Sequence, residues 1–294
     1  MFSPSIKKTI SENLNKKFSI QGNDLKISPI GGGSINKTYR LIYSDHTFFC
    51  KLNSATEHPN LFQKERNGLE LIQKQAIIKV PEVIDCFEMD EHQVLILEWI
   101  QEGERTEKFW KLFGEQLAGL HQVSHNYFGL EEDNYMGSVA QNNHPTGNWI
   151  DFFILQRVTP LIQQCFNKKI LDARQQNQFV QLFKKLEGIF EKEVTPSLLH
   201  GDLWSGNFMC NEEHEVVLID PAVYFGHSSV DMGMTSLFGG FHSSFYESYA
   251  YHFQLPANYM EQWQVCNLYP LLIHLLLFGK SYLPRIESIL NKFC

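Results

Sequence analysis

The sequence predicts an α+β fold with two lobes, a small one made mainly of β-strands and a larger one made mainly of helices. Two observations carry this prediction. From about Leu25 to Ile100, short runs rich in β-branched and aromatic residues dominate the chain. From about Thr106 onward, apolar residues recur every three or four positions, as they do in amphipathic helices. We therefore expect a first lobe over residues 1–100, a hinge near residues 98–103 and a second lobe over residues 104–294.

Short β-rich runs are the predicted strands of the first lobe, and one helix interrupts them. This helix covers roughly Pro59 to Lys74, because a proline stands near its first turn and apolar residues form one stripe along it. Glu65 lies on that stripe, and a carboxylate in such a position is costly unless it is paired. The strand runs read LKISPIG, INKTYRLIY, TFFCKL, EVIDCFEM and QVLILEWI.

Predicted helices fill most of the second lobe. The spacing of apolar residues from Phe109 to Leu120 predicts the first, and similar stripes recur in 146–166, 172–191 and 256–278. Between the last two lies a short β-like island, SLLHGDLWSGNFMC followed by EVVLID. This island interrupts the helical pattern and contains closely spaced polar residues.

Composition and charge exclude several classes of protein. With 294 residues, 43% hydrophobic and 20% charged, the chain is too long and too apolar for a disordered tail. Its formal net charge of −8 shows no basic excess, so we expect no nucleic-acid partner. The longest apolar run, Leu268–Gly279, contains Pro270 and His274. A bilayer span needs about 20 residues, so we expect no membrane partner.

The cysteines and the N-terminal residues indicate a cytoplasmic protein. The six cysteines show neither CxxC metal spacing nor a compact disulfide framework, so we expect reduced thiols. The start of the sequence is amphipathic and lacks the apolar stretch and cleavage site of a signal peptide. The sequence leaves the oligomeric state open, with a monomer favoured.

A glycine-rich segment, Gly31-Gly32-Gly33-Ser34, joins two predicted strands. Glycines let backbone amides approach a phosphate without a Cβ in the way, but a tight hairpin also needs them. No GK[ST] follows, so the segment is not a Walker loop. Both a phosphate-binding loop and a plain turn remain open from these residues alone.

Lys51 ends the predicted strand TFFCKL. A lone lysine there commonly extends its ammonium group to solvent. Glu65 on the predicted helix favours a second interpretation, because its carboxylate needs a cation on the facing sheet. We therefore predict an ion pair between Lys51 and Glu65 that holds a phosphate-binding ammonium in place.

The strongest chemical signal is the octapeptide HGDLWSGN, which is followed by the apolar strand VVLID. In these segments Asp202 can accept a hydroxyl proton, while Asn207 and Asp220 offer hard oxygen ligands to a Mg²⁺ ion that bridges ATP phosphates. Each residue alone is equally typical of a turn. Their order, after a glycine-rich hairpin, a strand lysine and a helix glutamate, indicates phosphoryl transfer.

At these residues the chain resembles the fructosamine kinase (ketosamine-3-kinase) family, which has the aminoglycoside-phosphotransferase and protein-kinase-like fold. The resemblance runs from Ile27 to about Tyr282, and kinases for choline, homoserine and aminoglycosides share only the shorter H-x-D-x-x-x-x-N pattern. Those other kinases seldom have the Leu-Trp pair of HGDLWSGN, so Trp204 favours the fructosamine kinase family over them. The matching segments are HGDLWSGN, IDPAVYFG, GGGSIN, EDNYMG at 132–137 and LFGGF at 237–241.

The resemblance implies ATP-dependent phosphorylation, with Mg²⁺, of the 3-hydroxyl of a ketosamine, a sugar adduct on an amine. The phosphorylated product is unstable and frees the amine, which is a deglycation repair activity. The expected partner is a ketosamine, and the sequence does not say whether it is small or attached to a protein. The implied first lobe is a small antiparallel sheet with one key helix.

The resemblance also assigns roles to residues of this sequence. Asp202 is the implied base, and Asn207 and Asp220 are the implied metal ligands. Lys51 reaches the α- and β-phosphates, and Glu65 orients it. Trp204 offers a stacking face to the sugar, although ordinary packing is an equal alternative. The remaining nucleotide contacts are the loop residues Gly32, Gly33 and Ser34, and the hinge residues Glu98, Trp99 and Ile100, whose backbone receives adenine.

One departure from the family concerns the substrate. Relatives commonly carry a glutamate after the DPA segment where this chain has Ser229, which bears on substrate specificity and leaves the nucleotide and metal residues untouched. The acids Glu131, Glu132, Asp133 and Asp151 could attract a cationic amine. Two alternatives to a ketosamine kinase remain: a kinase of another amine-bearing small molecule, of aminoglycoside or choline type, and a catalytically silent nucleotide-binding protein.

Overall fold

The computed structural model describes residues 2–20, 24–31 and 36–293. Three of the predicted phosphate contacts, Gly32, Gly33 and Ser34, lie outside the described residues.

One five-stranded antiparallel sheet occupies the N-terminal third, in the order β1-β2-β3-β5-β4. Each strand coincides with a run predicted from the sequence to within two residues at either end, because these runs supply the β-branched and aromatic residues that pack on a pleated surface. The strands are β1 (Leu25–Ile30), β2 (Lys37–Tyr43), β3 (His46–Ser54), β4 (Val83–Met89) and β5 (His92–Glu98).

The amphipathic start of the sequence forms helix α1 (Pro4–Phe18), which packs on the sheet. It begins where Ser3 accepts a hydrogen bond from the backbone N–H of Ile6, with Pro4 in the first turn. Its buried side chains share an apolar cluster with residues of β2, β3 and β5. This helix therefore covers the sheet side that α2 leaves open.

Helix α2 (Leu61–Gln73) begins two residues later than predicted. Pro59 lies before the helix, and Asn60 takes a left-handed conformation with φ of 59° at its start. Its apolar stripe is buried as expected, and it packs against β4, β5 and the short strand β6 (Asn134–Met136). Glu65 lies on the buried side of this helix.

Helices and short hairpins follow the sheet. The stretch predicted as one helix over 146–166 is divided, because a π-helical turn over Phe153–Val158 separates two α-helical segments. The elements in this region are α3 (Glu107–Gln122), β6 (Asn134–Met136), β7 (Val139–Gln141), α4 (Trp149–Phe152), the π-helical turn, α5 (Thr159–Asn167), α6 (Ala173–Phe183) and a 3₁₀ turn over Leu186–Gly188.

The predicted β-like island forms three short strands, and a fourth follows it. β8 pairs with β11, and β9 pairs with β10. The predicted helix over 256–278 is two helices that meet at Asn267. The elements are β8 (Ser197–Leu199), β9 (Phe208–Cys210), β10 (Val216–Leu218), β11 (Tyr224–Gly226), α7 (Ser229–Leu237), α8 (Ser243–His252), α9 (Tyr259–Cys266), α10 (Leu268–Phe278), a 3₁₀ turn over Lys280–Tyr282 and α11 (Leu283–Phe293).

One apolar cluster joins the two predicted lobes. It contains Phe62 and Ile72 of α2 together with Phe113 and Leu117 of α3, all fully buried. The key helix of the N-terminal third is therefore packed on the helical part of the chain as well as on its own sheet. The division at residues 98–103 remains a prediction. In the described chain, no helix is both long enough and apolar enough to cross a membrane.

Candidate active site

Most of the predicted site residues that the structure describes line one cavity of about 410 Å³. Phe49 and Lys51 of β3 line one side, Glu65 of α2 lies beside them, and the loops containing Asp202 and Asp220 line the other side. A second cavity of similar volume, lined by Trp149 and Glu191 among others, contains none of the predicted site residues.

Lys51 is bound by two carboxylates. Its Nζ donates to Glu65 Oε1 at 2.6 Å and to Asp220 Oδ1 at 2.6 Å. The ion pair with Glu65 was predicted and is confirmed, whereas the second pair with Asp220 was not predicted. Burial disfavours the charged ammonium, but Asp220 and Glu65 outweigh burial and raise the pKa of Lys51.

Burial also raises the pKa of Glu65, and its ion pair with Lys51 opposes that rise. The side chain of Lys51 is only 2% exposed, so this charge is held away from solvent. A buried ammonium shared by two carboxylates is fixed in direction, because leaving either carboxylate unpaired would be costly.

Helix α2 is hydrogen-bonded to Glu132, which lies between α3 and β6. Lys64 Nζ donates to Glu132 Oε2 at 2.5 Å, and Asn67 Nδ2 donates to Glu132 Oε1 at 2.6 Å. A Cβ added at Gly68 would lie 3.1 Å from Val223 Cγ2, so the helix backbone approaches the segment after Asp220 closely. These contacts flank Glu65 along the helix and hold it opposite Lys51.

The loop that carries Asp202 is braced by a buried aspartate that sequence reasoning did not assign to the site. Asp231, at the start of α7, accepts hydrogen bonds from the backbone N–H groups of His200 at 2.8 Å and Gly201 at 2.9 Å. His121 Nε2 also contacts its carboxylate at 3.1 Å. The signal was available, since Asp231 is an acid within the apolar run VDMGM and is fully buried.

His200 also braces this loop. Its Nε2–H donates to the carbonyl of Ile219 at 2.9 Å, and its Nδ1 accepts from the backbone N–H of Asp202 at 3.3 Å. Gly201 has φ of 84°, and a Cβ there would collide with the carbonyl oxygen of Ala222. The loops before Asp202 and after Asp220 are therefore in direct backbone contact.

Asp202 lies between Asn207 and the Asp220 loop. Asn207 Nδ2 donates to the Asp202 carboxylate at 3.0 Å and to its backbone carbonyl at 2.8 Å. Burial, with a further contribution from the charge of Asp220, raises the pKa of Asp202 to about 7. A carboxylate with such a pKa can take up a proton near neutral pH.

Asn207 and Asp220 offer oxygen atoms on the same wall of the cavity. Amide and carboxylate oxygens are ligands that Mg²⁺ prefers, and this ion is commonly held by one or two carboxylates plus phosphate oxygens. Among the described residues, no group of three or more His, Cys, Asp or Glu could hold a metal. A metal at this site would accordingly depend on oxygen atoms of the substrate as well.

Trp204 stands at the cavity with its side chain partly open to solvent, 37% exposed. Its ring lies over Gly206 and meets Phe238 edge to face at 6.1 Å between centroids. The end of α10 completes this part of the wall with His274, Leu277 and Phe278. Sequence reasoning missed these three residues, because an apolar run does not by itself distinguish a cavity wall from a core.

The predicted hinge residues lie outside the cavity wall formed by the described residues. Glu98 ends β5, and its carboxylate accepts from the backbone N–H of Glu82 at 3.1 Å. The indole of Trp99 lies 4.8 Å from the guanidinium of Arg40. Ile100 follows as part of the connection to α3.

The acids expected to attract an amine are also placed elsewhere. Glu132 is bound to α2, Asp133 accepts from the backbone N–H of Asn143 at 2.8 Å, and Glu131 and Asp151 do not line the cavity wall in the described chain. Ser229 is buried, and its hydroxyl donates to Gln262 Oε1 at 3.2 Å, away from the cavity wall.

Comparison with known proteins agrees with this arrangement. The family model described as fructosamine kinase matches residues 2–294. A curated relative from Synechocystis sp. (strain ATCC 27184 / PCC 6803 / Kazusa), named "Probable ketoamine kinase", is 35% identical over 297 residues, covering 98% of this chain and 95% of the relative.

Solved structures show the same fold. The crystal structure of a candidate fructosamine-3-kinase from Haemophilus somnus 129PT has a TM-score of 0.87 and 26% identity, covering 97% of this chain and 96% of that one. Aminoglycoside phosphotransferase APH(4)-Ia, in a ternary complex with ADP and hygromycin B, has a TM-score of 0.64 at 12% identity, covering 96% of this chain and 98% of that one. The latter likeness shows the protein-kinase-like fold alone. With the family match over almost its whole length, the chain belongs to the fructosamine kinase family of phosphotransferases.

Proposed function

We propose that this protein transfers the γ-phosphate of ATP to the 3-hydroxyl of a ketosamine, with Mg²⁺ as its cofactor. The observation that carries the proposal is the meeting of Lys51, Asp202 and Asp220 at one cavity. Phosphoryl transfer requires chiefly positioning and stabilisation of charge. These residues supply a fixed cation, oxygen ligands and a group that accepts a proton.

The acceptor class is supported by the family and by the charges of the cavity. The chain belongs to the fructosamine kinase family, and its Synechocystis relative is named a ketoamine kinase. Among the described lining residues, the only carboxylates are Glu65, Asp202 and Asp220. All three belong to the proposed machinery, so these residues offer no separate acidic floor for an acceptor with several ammonium groups.

The position of Lys51 supports the proposed contacts with the nucleotide phosphates. Its ammonium binds the α- and β-phosphates, and Glu65 holds it in place because both groups are buried together. By family resemblance, the backbone of Gly32, Gly33 and Ser34 covers the phosphates, and the backbone of the Glu98–Ile100 segment receives the adenine.

Asn207 and Asp220 are the proposed ligands of Mg²⁺, which when bound neutralises charge on the phosphate oxygens. The donor set fits this ion, since both side chains offer hard oxygen atoms. Asn207 Nδ2 is engaged with Asp202, which leaves its Oδ1 as the metal-binding atom. One carboxylate oxygen of Asp220 binds Lys51, and the other is the proposed metal ligand.

Asp202 is the proposed base. It accepts the proton of the 3-hydroxyl as the sugar oxygen forms its bond to the γ-phosphorus, and the bond from that phosphorus to the bridging oxygen of ADP breaks. A pKa of about 7 suits this task, because the group is ionised in a large fraction of molecules at neutral pH and still binds a proton well. Trp204 covers the sugar next to this base.

The proposal is tested with purified protein, Mg-ATP and a panel of acceptors. We expect kcat/KM for a fructosamine or ribulosamine adduct to exceed the values for kanamycin and choline measured under the same conditions. Phosphorus NMR of the product should place the new phosphate on the 3-oxygen. A ratio of kcat/KM for the ketosamine to kcat/KM for kanamycin or choline at or below one would reject the ketosamine as the acceptor. The protein would then be proposed as a kinase of another acceptor.

A further inference from the structure

Arg157 is a buried guanidinium that sequence reasoning did not single out. Its side chain is only 1% exposed, and it belongs to the π-helical turn Phe153–Val158. Such turns are rare and are frequently found at functional sites. In the described chain its hydrogen-bond partners are carbonyl and amide oxygens, and none is a carboxylate.

Aromatic rings surround this charge in place of a counter-ion. Its Cζ lies 4.0 Å from the ring centroid of Tyr224, 4.5 Å from that of Phe152 and 5.5 Å from that of Tyr269. Cation–π attraction is strongest for a desolvated cation, so this arrangement stabilises the guanidinium and fixes its plane. The fork of the guanidinium is then directed at a single loop.

That loop leads to the cavity wall. Arg157 Nη1 donates to the carbonyl of Asn142, and Nη2 donates to Asn143 Oδ1 at 2.6 Å. Asn143 Nδ2 in turn donates to Asn134 Oδ1 at 2.9 Å. Asn134 lines the cavity, and its Nδ2 donates to the carbonyl of Val223 at 2.8 Å.

A second branch reaches the same backbone. Tyr269, whose ring faces Arg157, donates from its hydroxyl to Gln141 Oε1 at 2.8 Å. Gln141 Nε2 donates to Asn134 Oδ1 at 2.7 Å and to the carbonyl of Ala222 at 3.2 Å. Ala222 N–H donates to the carbonyl of His200 at 2.8 Å. The network therefore contacts the backbone just after Asp220 and, through Ala222, the backbone just before Asp202.

We propose that Arg157 is a positioning residue that sets the distance between the Asp202 loop and the Asp220 loop through Asn143, Asn134 and Gln141. The inference rests on the proposed kinase activity. An arginine is required at this position because its planar fork reaches two acceptors at once while its face stacks on rings, and a lysine ammonium cannot do both. A residue needed only to fill space would be replaceable by an apolar side chain.

The test compares Arg157→Lys and Asn143→Ala with Leu186→Ala. Leu186 is fully buried in the same apolar cluster as Phe152 and Tyr224, and its side chain makes none of the network's hydrogen bonds, so its truncation removes packing and no polar contact of the network. Misplacement of reacting groups by about 1 Å can cost about 100-fold in rate. We expect Arg157→Lys and Asn143→Ala each to lower kcat by about 10- to 100-fold, and the double variant to lose no more than either.

The affinity for ATP measured without metal should change by less than about threefold in these variants, because Lys51 and Glu65 lie outside the network. Leu186→Ala should lower the melting temperature and keep the wild-type kcat at temperatures where it is folded. An unchanged kcat in Arg157→Lys, or losses that add up in the double variant, would overturn the proposal.

Amide hydrogen exchange separates this inference from the proposed function. A wild-type protein without turnover on any ketosamine would refute the proposed function. The rates of amide exchange in residues 130–143 and 221–226 could still be compared between wild type and the variants. Faster exchange in both segments of Arg157→Lys, with Leu186→Ala unaltered there, supports the positioning role. Equal exchange in wild type and Arg157→Lys would refute it.

Discussion

The side-chain amide of Asn207 donates hydrogen bonds to two oxygen atoms of Asp202, one in the carboxylate and one in the backbone. The bond to the carboxylate favours the charged form of Asp202. Burial and the charge of Asp220 oppose it more strongly, and the pKa of Asp202 rises to about 7. The protonation state of the proposed base is therefore set by its burial and by two neighbouring side chains, Asn207 and Asp220.

The first prediction concerns the pH dependence of activity. Because Asp202 must be ionised to accept a proton, kcat/KM should rise with pH through about 7 and then level off. Asp202→Asn should lose about 10²- to 10⁴-fold in kcat, since an amide cannot act as the base. Asp45→Asn, in the exposed turn between β2 and β3, is the control and should keep the wild-type profile. A profile without this rise would contradict the assignment.

The second prediction concerns stability. Below the ordinary pKa of 3.8, Asp202 is protonated in both the folded and the unfolded states. As pH rises from that value to about 7, the unfolded chain ionises first, so the folded state loses relative stability. Asp202→Asn removes this loss. Its melting temperature relative to wild type should therefore be higher at pH 8 than at pH 4, and calorimetry at both values checks this; an equal difference would contradict the raised pKa.

The third prediction concerns the cation of the site. Glu65→Gln removes one of the two carboxylates that hold Lys51, so the ammonium should move toward Asp220 and kcat/KM should fall by about 10- to 100-fold. A double-mutant cycle with Lys51→Met should show losses that are far from additive. Glu70→Gln, on the exposed side of the same helix, is the matched control. Additive losses would show that the pair does not act as a unit.

The fourth prediction concerns the contact between the two catalytic loops. Gly201→Ala places a Cβ against the carbonyl of Ala222 at a positive φ, so the loops must separate. We expect a loss of at least about 2 kcal/mol in the free energy of unfolding, with a sharp loss of turnover. Gly188→Ala is the control, because a Cβ there meets nothing within 4 Å. Urea unfolding of both variants is the measurement, and equal stabilities would refute the close approach.

The fifth prediction concerns the acceptor. Trp204→Ala should raise the KM for a ketosamine by about tenfold and leave the KM for ATP unchanged, because stacking on the sugar is lost while the phosphate contacts remain. Gly206→Ala should act in the same direction, since its Cβ would displace the ring of Trp204. Tyr251→Ala, at a side chain that is 85% exposed, is the control. A change confined to the KM for ATP would show that Trp204 belongs to the nucleotide side.

The sequence predicted those parts of the site that depend on local periodicity. Lys51 and Glu65 were paired because a strand face and a helix stripe can be recognised from spacing alone. The second partner of Lys51, Asp220, depends on how distant loops meet, and spacing carries no such information. Asp231 stands out in the sequence as an acid within an apolar run, but its role could not be predicted for the same reason, since it acts on backbone N–H groups some thirty positions earlier in the chain.

The fold shows the same division between local and tertiary information. The five strand runs were found because their composition is continuous, whereas the break in the helix predicted over 146–166 is a π-helical turn that apolar spacing does not distinguish from an α-helix. The end of α10 was not predicted as part of the site, because apolar residues line cavities as well as cores. His274 and Phe278 became recognisable only through the loops that face them.

Glu132 has a consequence for the order of events in a catalytic cycle. Its carboxylate accepts hydrogen bonds from Lys64 and Asn67 of α2, which lie on either side of Glu65 along the helix. Any rotation that withdrew Glu65 from Lys51 would have to break both hydrogen bonds and unpack Gly68 from Val223. In the proposed kinase, the ion pair would therefore be in place before a nucleotide binds, and none of the nucleotide's binding free energy would be used to form it.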